Sequence, residues 1–507
     1  MLDKTPRFVR LNSDDNVVVC VDRVAAGTQL EGVTAAEPIP RGHKLATRRI
    51  DKGEPVRKFG QIIGFASSEI EPGRHVHEHN CAIADFERDY AFASENTWSP
   101  PSLAGLPASF RGFRRPGGRA GTRNYIAILT SVNCSASVAR FAARAAVDSG
   151  MLRDYPNVDG IAAFTHGTGC GMDSRGEGYD LLQRTIWGHA ANPNVGGALM
   201  IGLGCEVFQL PRLLEAYGLS ESPTFRTMTI QTSGGTRATI DAALAAIADM
   251  LPAVNAVERE EMPVSDLTLA LQCGGSDGYS GVTANPALGH AADLLVAAGG
   301  TAILSETPEI YGAEHLLTRR ACDRGTGEKL VELIRWWEDY TAKLDGNMNN
   351  NPSPGNKLGG LTTILEKSLG AAAKGGTSPL AGVYRYAEPV DRRGFVFMDS
   401  PGYDPCSVTG QVASGANIVA FTTGRGSAFG CKPAPSIKLA TNSELYANMT
   451  EDMDANCGDI LDGVSVEEKG RDIFRLLVET ASGRRSKSEQ LGYGDNEFVP
   501  WQVGAVM

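Results

Sequence analysis

Nine residues able to bind a metal or move a proton stand in segments of one kind: Cys134, His166, Cys170, Cys205, Glu206, Cys273, Asp277, Glu306 and Glu309. Their segments, SVNCSAS, FTHGTGCGM, IGLGCEVFQ, LQCGGSDGYSGVTANP and LSETPEIYGAEHLL, each join an apolar run to a Gly- or Pro-marked turn. Glycine there permits close backbone approach, and backbone N–H groups can receive a carboxylate, so the chemistry would be anion binding combined with metal ligation. Cys134, Cys205 and Cys273 read equally well as small buried residues. His166 and Glu206 differ, because a titratable group at a strand end needs a partner or water. Asp277 has an alternative use as a turn cap, and Glu309 as a first-turn carboxylate of a helix.

A second pattern is HVHEHN, with His75, His77 and His79 spaced by two in a chain of only eight histidines. In a strand that spacing puts three imidazoles on one face, as a metal cluster or a proton-transfer group requires; a solvated edge strand shows it too. An anionic substrate also needs cations, and Lys357, Lys367, Arg425 and Lys438 are the candidates, with Arg425 best placed between two glycines.

The elements that must position these residues change along the chain. Residues 8–80 read as short alternating strands (VRLN, NVVVCVD, EPVRKFGQIIGFAS) broken by turns. A Pro- and Ser-containing stretch with no period follows. From residue 110 apolar runs alternate with helical stretches, first YIAILTSV to ATIDAALAAIADML, then LTLALQ to NIVAFTTG. The expected domains are 1–82 β-rich, 83–109 linker, 110–258 α/β, and 259–507 a second α/β unit with a C-terminal tail. In open α/β sheets ligands bind outside the carboxyl ends of the strands, so the strand-end residues are expected to converge. The Asn/Gly/Pro-rich tract DGNMNNNPSPGNKLGG is expected to cover a site.

With 507 residues, 42% apolar and 21% charged, the chain has room for about three folded domains. A net charge of −11 opposes a general nucleic-acid binder. No run of about 18 apolar residues suggests a membrane span, and the N-terminus lacks a signal-peptide core, so a cytoplasmic protein without nucleic-acid or membrane partners is expected. The ten cysteines suit thiols or metal ligands better than disulfides. TTGRGSAFG is not a Walker loop, GTGCGM is not GxGxxG, and HEHN is not HExxH.

Taken together, GFRRPGGRAGTRN, HGTGCG, IGLGCE, QCGGSDGYSGVTANPALG, NPSPGNK, GGLTTILEKSLG and FTTGRGSAFG resemble the altronate/galactarate dehydratase family. The resemblance implies an α/β protein: a small N-terminal β-clip (SAF-like) domain followed by two doubly wound, mostly parallel α/β domains. It implies dehydration of a sugar acid to a 2-keto-3-deoxy acid with a divalent metal, Fe²⁺ ahead of Mn²⁺ or Mg²⁺; several cysteines near one site are an alternative holder of an iron–sulfur cluster, ranked below a mononuclear metal. HVHEHN and EIYGAEHLL resemble altronate-type members, which tilts the substrate toward an aldonate over galactarate; the ending DNEFVPWQVGAVM departs from that type. A related lyase of another hydroxy acid such as sulfolactate, or a non-catalytic sugar-acid-binding protein, are the competing readings. Metal ligation is assigned to a subset of His75, His77, His166, Cys170 and Glu206. Catalysis is assigned among His77, His166, Glu206 and Lys357, and substrate binding to Arg425, Gly274, Gly275, Asp277, Asn285 and Lys367. A homo-oligomer is an expectation from base rates alone.

Overall fold

A computed structural model of the protein describes residues 5–84, 88–95, 97–504 and 506. The N-terminal region is built from short antiparallel strands. One sheet runs Phe8–Val9, Val17–Cys20, Lys44–Ala46, His75–Val76, and a second runs Pro55–Lys58, Gln61–Ala66, Cys81–Ala82. Side chains alternate between two cores: Val18, Cys20 and Leu45 fill one, while Val17, Ala46 and Val76 fill another shared with Ala313, Leu369 and Ala372. The β-rich domain is therefore cemented by apolar packing to residues 313–372, distant in the chain.

The second unit holds a four-stranded parallel sheet in the order Gly160–Phe164, Tyr125–Thr130, Val195–Gly202, Phe225–Thr229. Ile126 and Ile128 face one core, Tyr125, Ala127 and Leu129 the other, so helices cover both faces. Helix Thr236–Asn255 is long and apolar enough to cross a membrane by length and composition; its Ala243, Ile247, Met250 and Val254 are instead buried in the first of these cores.

The third unit is a seven-stranded parallel sheet ordered Leu380–Tyr384, Gly394–Met398, Thr301–Leu304, Thr268–Cys273, Ile418–Thr423, Ser436–Ala440, Ala455–Asn456. Leu269 and Leu271 face one core and Ala270 the other, repeated by Phe395 and Phe397 against Val396. A β-rich N-terminal region followed by α/β units with parallel sheets is the fold class expected from the sequence. Three strands of this sheet, Leu380–Tyr384, Ser436–Ala440 and the short Ala455–Asn456, were not among the expected ones. The stretch from Ala313 to Leu344 is also broken into His315–Arg319 and Arg324–Lys343, because Asp323 caps a new helix by accepting the Thr326 N–H.

Connections are firmer than a spacer would make them. In the expected linker, Arg88 pairs with buried Glu314 at 2.8 Å, and the N–H groups of Ala93 and Glu95 bond Thr318 and Arg319 carbonyls. Strands Ser109–Arg114 and Arg259–Pro263 pair antiparallel where the chain enters and leaves the second unit.

Candidate active site

In the seven-stranded sheet the chain begins at Thr268–Cys273, builds one side, then crosses to Ile418–Thr423 and builds the other. The carboxyl ends of these two neighbours form the switch point where α/β folds bind ligands. Gly274–Gly275 and Gly424–Arg425 occupy it: the Gly275 carbonyl accepts the N–H groups of Gly424 (3.1 Å) and Arg425 (2.8 Å). Gly275 has φ +62°, and a Cβ on Gly274 would lie 2.1 Å from Asp404 Oδ2, so glycine is required at both. Among the described residues, the exposed Arg425 side chain has no ion-pair or hydrogen-bond partner. Asp404 opens helix Asp404–Ala413; burial, then the charge of Glu309, pushes its carboxyl up to about 6.

Behind this mouth lies a buried group formed by Cys273, Glu306 and Glu309. Lysines already supply its positive charge. Lys367 Nζ bonds Glu309 (2.7 Å) and Asn351 (2.7 Å), and Lys374 Nζ lies 2.8 Å from Cys273 Sγ and 3.8 Å from Glu306. Glu306, at φ +73°, has both carboxylate oxygens buried without a hydrogen bond; burial and then Glu309 raise its pKa well above the usual range. Burial opposes ionisation of Glu309 too, but Lys367 and Lys374 outweigh it and hold that carboxyl low.

The N-terminal domain roofs this region. Pairing of Lys44–Ala46 with His75–Val76 sets His43 beside His75 and His77. His43 Nδ1 lies 3.0 Å from His75 Nε2, while His43 Nε2 is 3.2 Å from the Leu358 carbonyl, which fixes the tautomer with Nδ1 unprotonated. Two nitrogens bound cis at ~2.1 Å to one ion stand about 3 Å apart, so the pair fits a metal. His77 Nδ1 is buried without a partner. Burial, reinforced by neighbouring histidines and Lys44, lowers His75 to about 3 and His77 to about 4, leaving neutral imidazoles as ligation requires. The strand is only two residues long, so the alternation expected over HVHEHN fails after Val76: Asn80, accepting from His77 N–H and donating to the His75 carbonyl, turns the chain. His79 is exposed, its ring 5.4 Å from that of His75.

The Asn/Gly/Pro-rich tract packs against both groups. Leu358 contacts His43, Lys357 pairs with Glu78 at 2.9 Å, Asn351 bonds Glu309, and Asn356 donates to the Ser276 carbonyl. Beneath it Glu366 is wholly buried between Lys44 (2.8 Å) and Lys58 (2.9 Å); burial opposes its ionisation, and the two lysines overcome that.

Several expected site residues have other work. Asp277 accepts from Ser280, Thr441, Asn442 and the Tyr279 N–H, knitting two loops together. Asn285 donates to the Gly370 carbonyl and accepts from Thr422, and Lys367 is committed to Glu309. Lys438 is buried on the Ser427 carbonyl. The expected common ligand set is also divided. His166, Cys170 and Glu206 lie in the second unit, and neither ligand group among the described residues contains them. His166 places Nε2 2.9 Å from the Thr130 carbonyl, and its Nδ1 accepts from Thr168 N–H, so both nitrogens tie neighbouring loops. Burial opposes ionisation of Glu206, but the Ser131 hydroxyl and the Gly204 and Leu203 N–H groups prevail and hold it low, as a buried carboxylate that closes a turn. Sequence reasoning missed His43, Lys44, Lys58, Glu366, Lys374 and Asp404. Asp404 alone carried a signal, since SPGYDP follows the apolar run GFVFM. A cavity of about 760 Å³, lined by residues that include Arg184, Trp336, Tyr386 and Trp501, touches neither the histidines nor Gly274–Gly275.

Family models match in chain order: the altronate/galactarate dehydratase SAF domain over residues 6–84, the second domain of D-galactarate dehydratase/altronate hydrolase over 112–255, and the D-galactarate/altronate dehydratase C-terminal domain over 264–506. Altronate dehydratase of Bacillus subtilis is 34% identical over 95% of this chain and 96% of its own. Galactarate dehydratase (L-threo-forming) of Escherichia coli is 36% identical over 96% and 95%. More distantly, (2R)-sulfolactate sulfo-lyase subunit beta of Chromohalobacter salexigens is 31% identical over 77% and 96%. With these three domains matched in order and a relative aligned over 95% of the chain, the protein belongs to the altronate/galactarate dehydratase family and is a carbon–oxygen lyase.

Proposed function

We propose that the protein is a metal-dependent hydro-lyase that dehydrates an aldonate of the altronate type to a 2-keto-3-deoxy acid. The carrying observation is the His43–His75–His77 group, whose 3.0 Å nitrogen spacing and orphaned His77 Nδ1 suit a divalent ion. Fe²⁺, with Mn²⁺ or Mg²⁺ as alternatives, supplies a Lewis acid for charge that develops on the substrate's oxygens. Arg425 and the Gly274–Gly275 backbone bind the carboxylate at the switch point. Among the described residues Arg425 is a cation of this mouth without an ion-pair partner, and one such charge suits an aldonate, with one carboxylate, better than an aldarate with two. Asp404, with its carboxyl near 6, is ionised enough at neutral pH to take the proton α to the carboxylate and acidic enough to return one to the departing hydroxyl. Lys357, half-exposed beside His77's loop, orients the leaving end.

Anaerobically purified protein, reconstituted with each metal, is assayed against a panel of aldonates and aldarates for 2-keto-3-deoxy acid. The expected result is turnover of an aldonate that stops with chelator. Turnover confined to an aldarate overturns the one-carboxylate reading, and loss of neither metal nor activity in His75→Ala overturns the histidine site.

A further inference from the structure

Of the four exposed cysteines, three stand together at the carboxyl edge of the four-stranded sheet: Cys134, Cys170 and Cys205. Cysteine is among the most buried of residue types, so three exposed thiols in one place need a reason. They follow three adjacent parallel strands, with Tyr125–Thr130 in the middle and the chain crossing from Gly160–Phe164 on one side to Val195–Gly202 on the other. This is a second topological switch point.

The loops are tied to one another. Asn133 N–H donates to the Thr168 carbonyl (2.9 Å), and Phe208 N–H to the Gly169 carbonyl (3.0 Å). The Ser131 hydroxyl donates to Glu206, and a Cβ on Gly169 would lie 2.1 Å from the Ser131 carbonyl. Each tie is at most three residues from a thiol. From the end of the fourth strand Gln231 Nε2 donates to Cys205 Sγ at 3.3 Å, as donors do around metal-bound sulfur. Cys134 lies in the first turn of the 16-residue helix Asn133–Asp148, whose N-cap residue offers no side-chain cap; the positive helix end favours thiolate charge.

We propose that Cys134, Cys170 and Cys205 are the three thiolate ligands of an iron–sulfur cluster, distinct from the histidine metal site, with one iron left open to the crevice. Softness of the ligands restricts the choice to zinc, copper(I) or iron–sulfur. Separation decides among these. A single zinc at ~2.3 Å from each sulfur needs the three sulfurs close together; the groups whose ligand atoms lie within 4.8 Å of one another, among the described residues, do not include these thiols. A cluster carries its irons on separate corners, so its three thiolates need not meet at one ion; transfer of a preassembled cluster onto the thiols releases their three protons and changes no oxidation state.

The test uses the full chain purified anaerobically, with iron, zinc and acid-labile sulfide counted and the visible and electron paramagnetic resonance spectra recorded. About four sulfides per chain are expected for a [4Fe–4S] cluster. The sulfide and the cluster spectrum should vanish in the C134S/C170S/C205S variant but persist in His75→Ala and in Cys322→Ser, which changes the remaining exposed thiol. Circular dichroism and thermal unfolding of the triple variant confirm that it folds; a single variant, Cys170→Ser, reports the altered cluster if it does not. Absence of sulfide after reconstitution with iron and sulfide, a cluster unaffected by the triple substitution, or one zinc held by these thiols overturns the proposal.

Discussion

The two parallel sheets end in two switch points of different character. That of the seven-stranded sheet is roofed by the N-terminal domain and filled with paired charge: Glu366 between Lys44 and Lys58, Glu309 on Lys367, and Lys374 against Cys273. The nearby interior cavity, lined by Lys58, Asp277, Glu366 and Lys367, is about 10 Å³, room for about one water. The switch point of the four-stranded sheet carries exposed thiols and loops held by backbone bonds. One crevice is organised by buried ions, whose geometry is rigid because any unpaired member is expensive. The other is held by backbone bonds together with Ser131, His166 and Glu206, leaving three exposed thiols for an outside ligand.

If the charged crevice is the catalytic one, Asp404→Asn should lower kcat by about 10²–10⁴-fold, the usual range for a proton-transfer group, with substrate affinity little changed. Steady-state kinetics with the preferred acid check this, and an unaffected kcat moves the chemistry away from this crevice. Glu366→Ala strands two buried lysines and should cost about 3–5 kcal/mol, read by urea denaturation of the full chain. A cost below ~1 kcal/mol, the range of a surface ion pair, means that water reaches the triad.

Arg425→Ala removes a charged hydrogen bond of about 1.5–3 kcal/mol and should raise KM roughly 10–100-fold with kcat less affected. Equal loss in kcat places Arg425 in the chemical step instead. The smallest effect is a pH dependence of stability. Asp404 goes from 3.8 unfolded to about 6 folded, so the folded chain binds the extra proton. Its contribution is complete below pH ~4 and falls away by on the order of 2–3 kcal/mol as pH rises through ~6. Asp404→Asn should flatten stability across that window in parallel denaturant titrations. A wild-type curve already flat there shows that the carboxyl is not shifted, and removes the reason for giving it the proton.

Much of the frame was legible in the chain. Apolar runs such as YIAILTSV and NIVAFTTG became buried strands, and Gly-marked segments after them became crevice loops, because a strand buried on both faces must be apolar and a tight turn past it favours glycine. LAGVY and SIKLAT were missed, since five-residue strands with a small or charged member carry little local signal; Lys438 is buried only because Ser427 and Asp452 receive it. HVHEHN pointed to a histidine site without revealing that its third ligand candidate would be His43, some thirty positions earlier, in place of His79.

By itself, then, the sequence determined the class of the domains, the strand ends where chemistry could occur and the residue types available there. Tertiary structure alone decided which strand ends became neighbours: it put His43 with His75 and His77, Glu366 between two distant lysines, and His166, Cys170 and Glu206 on a separate sheet from the histidines. The reason is that periodicity is a local property, whereas strand order and domain docking are fixed by pairing and burial between residues far apart in the chain.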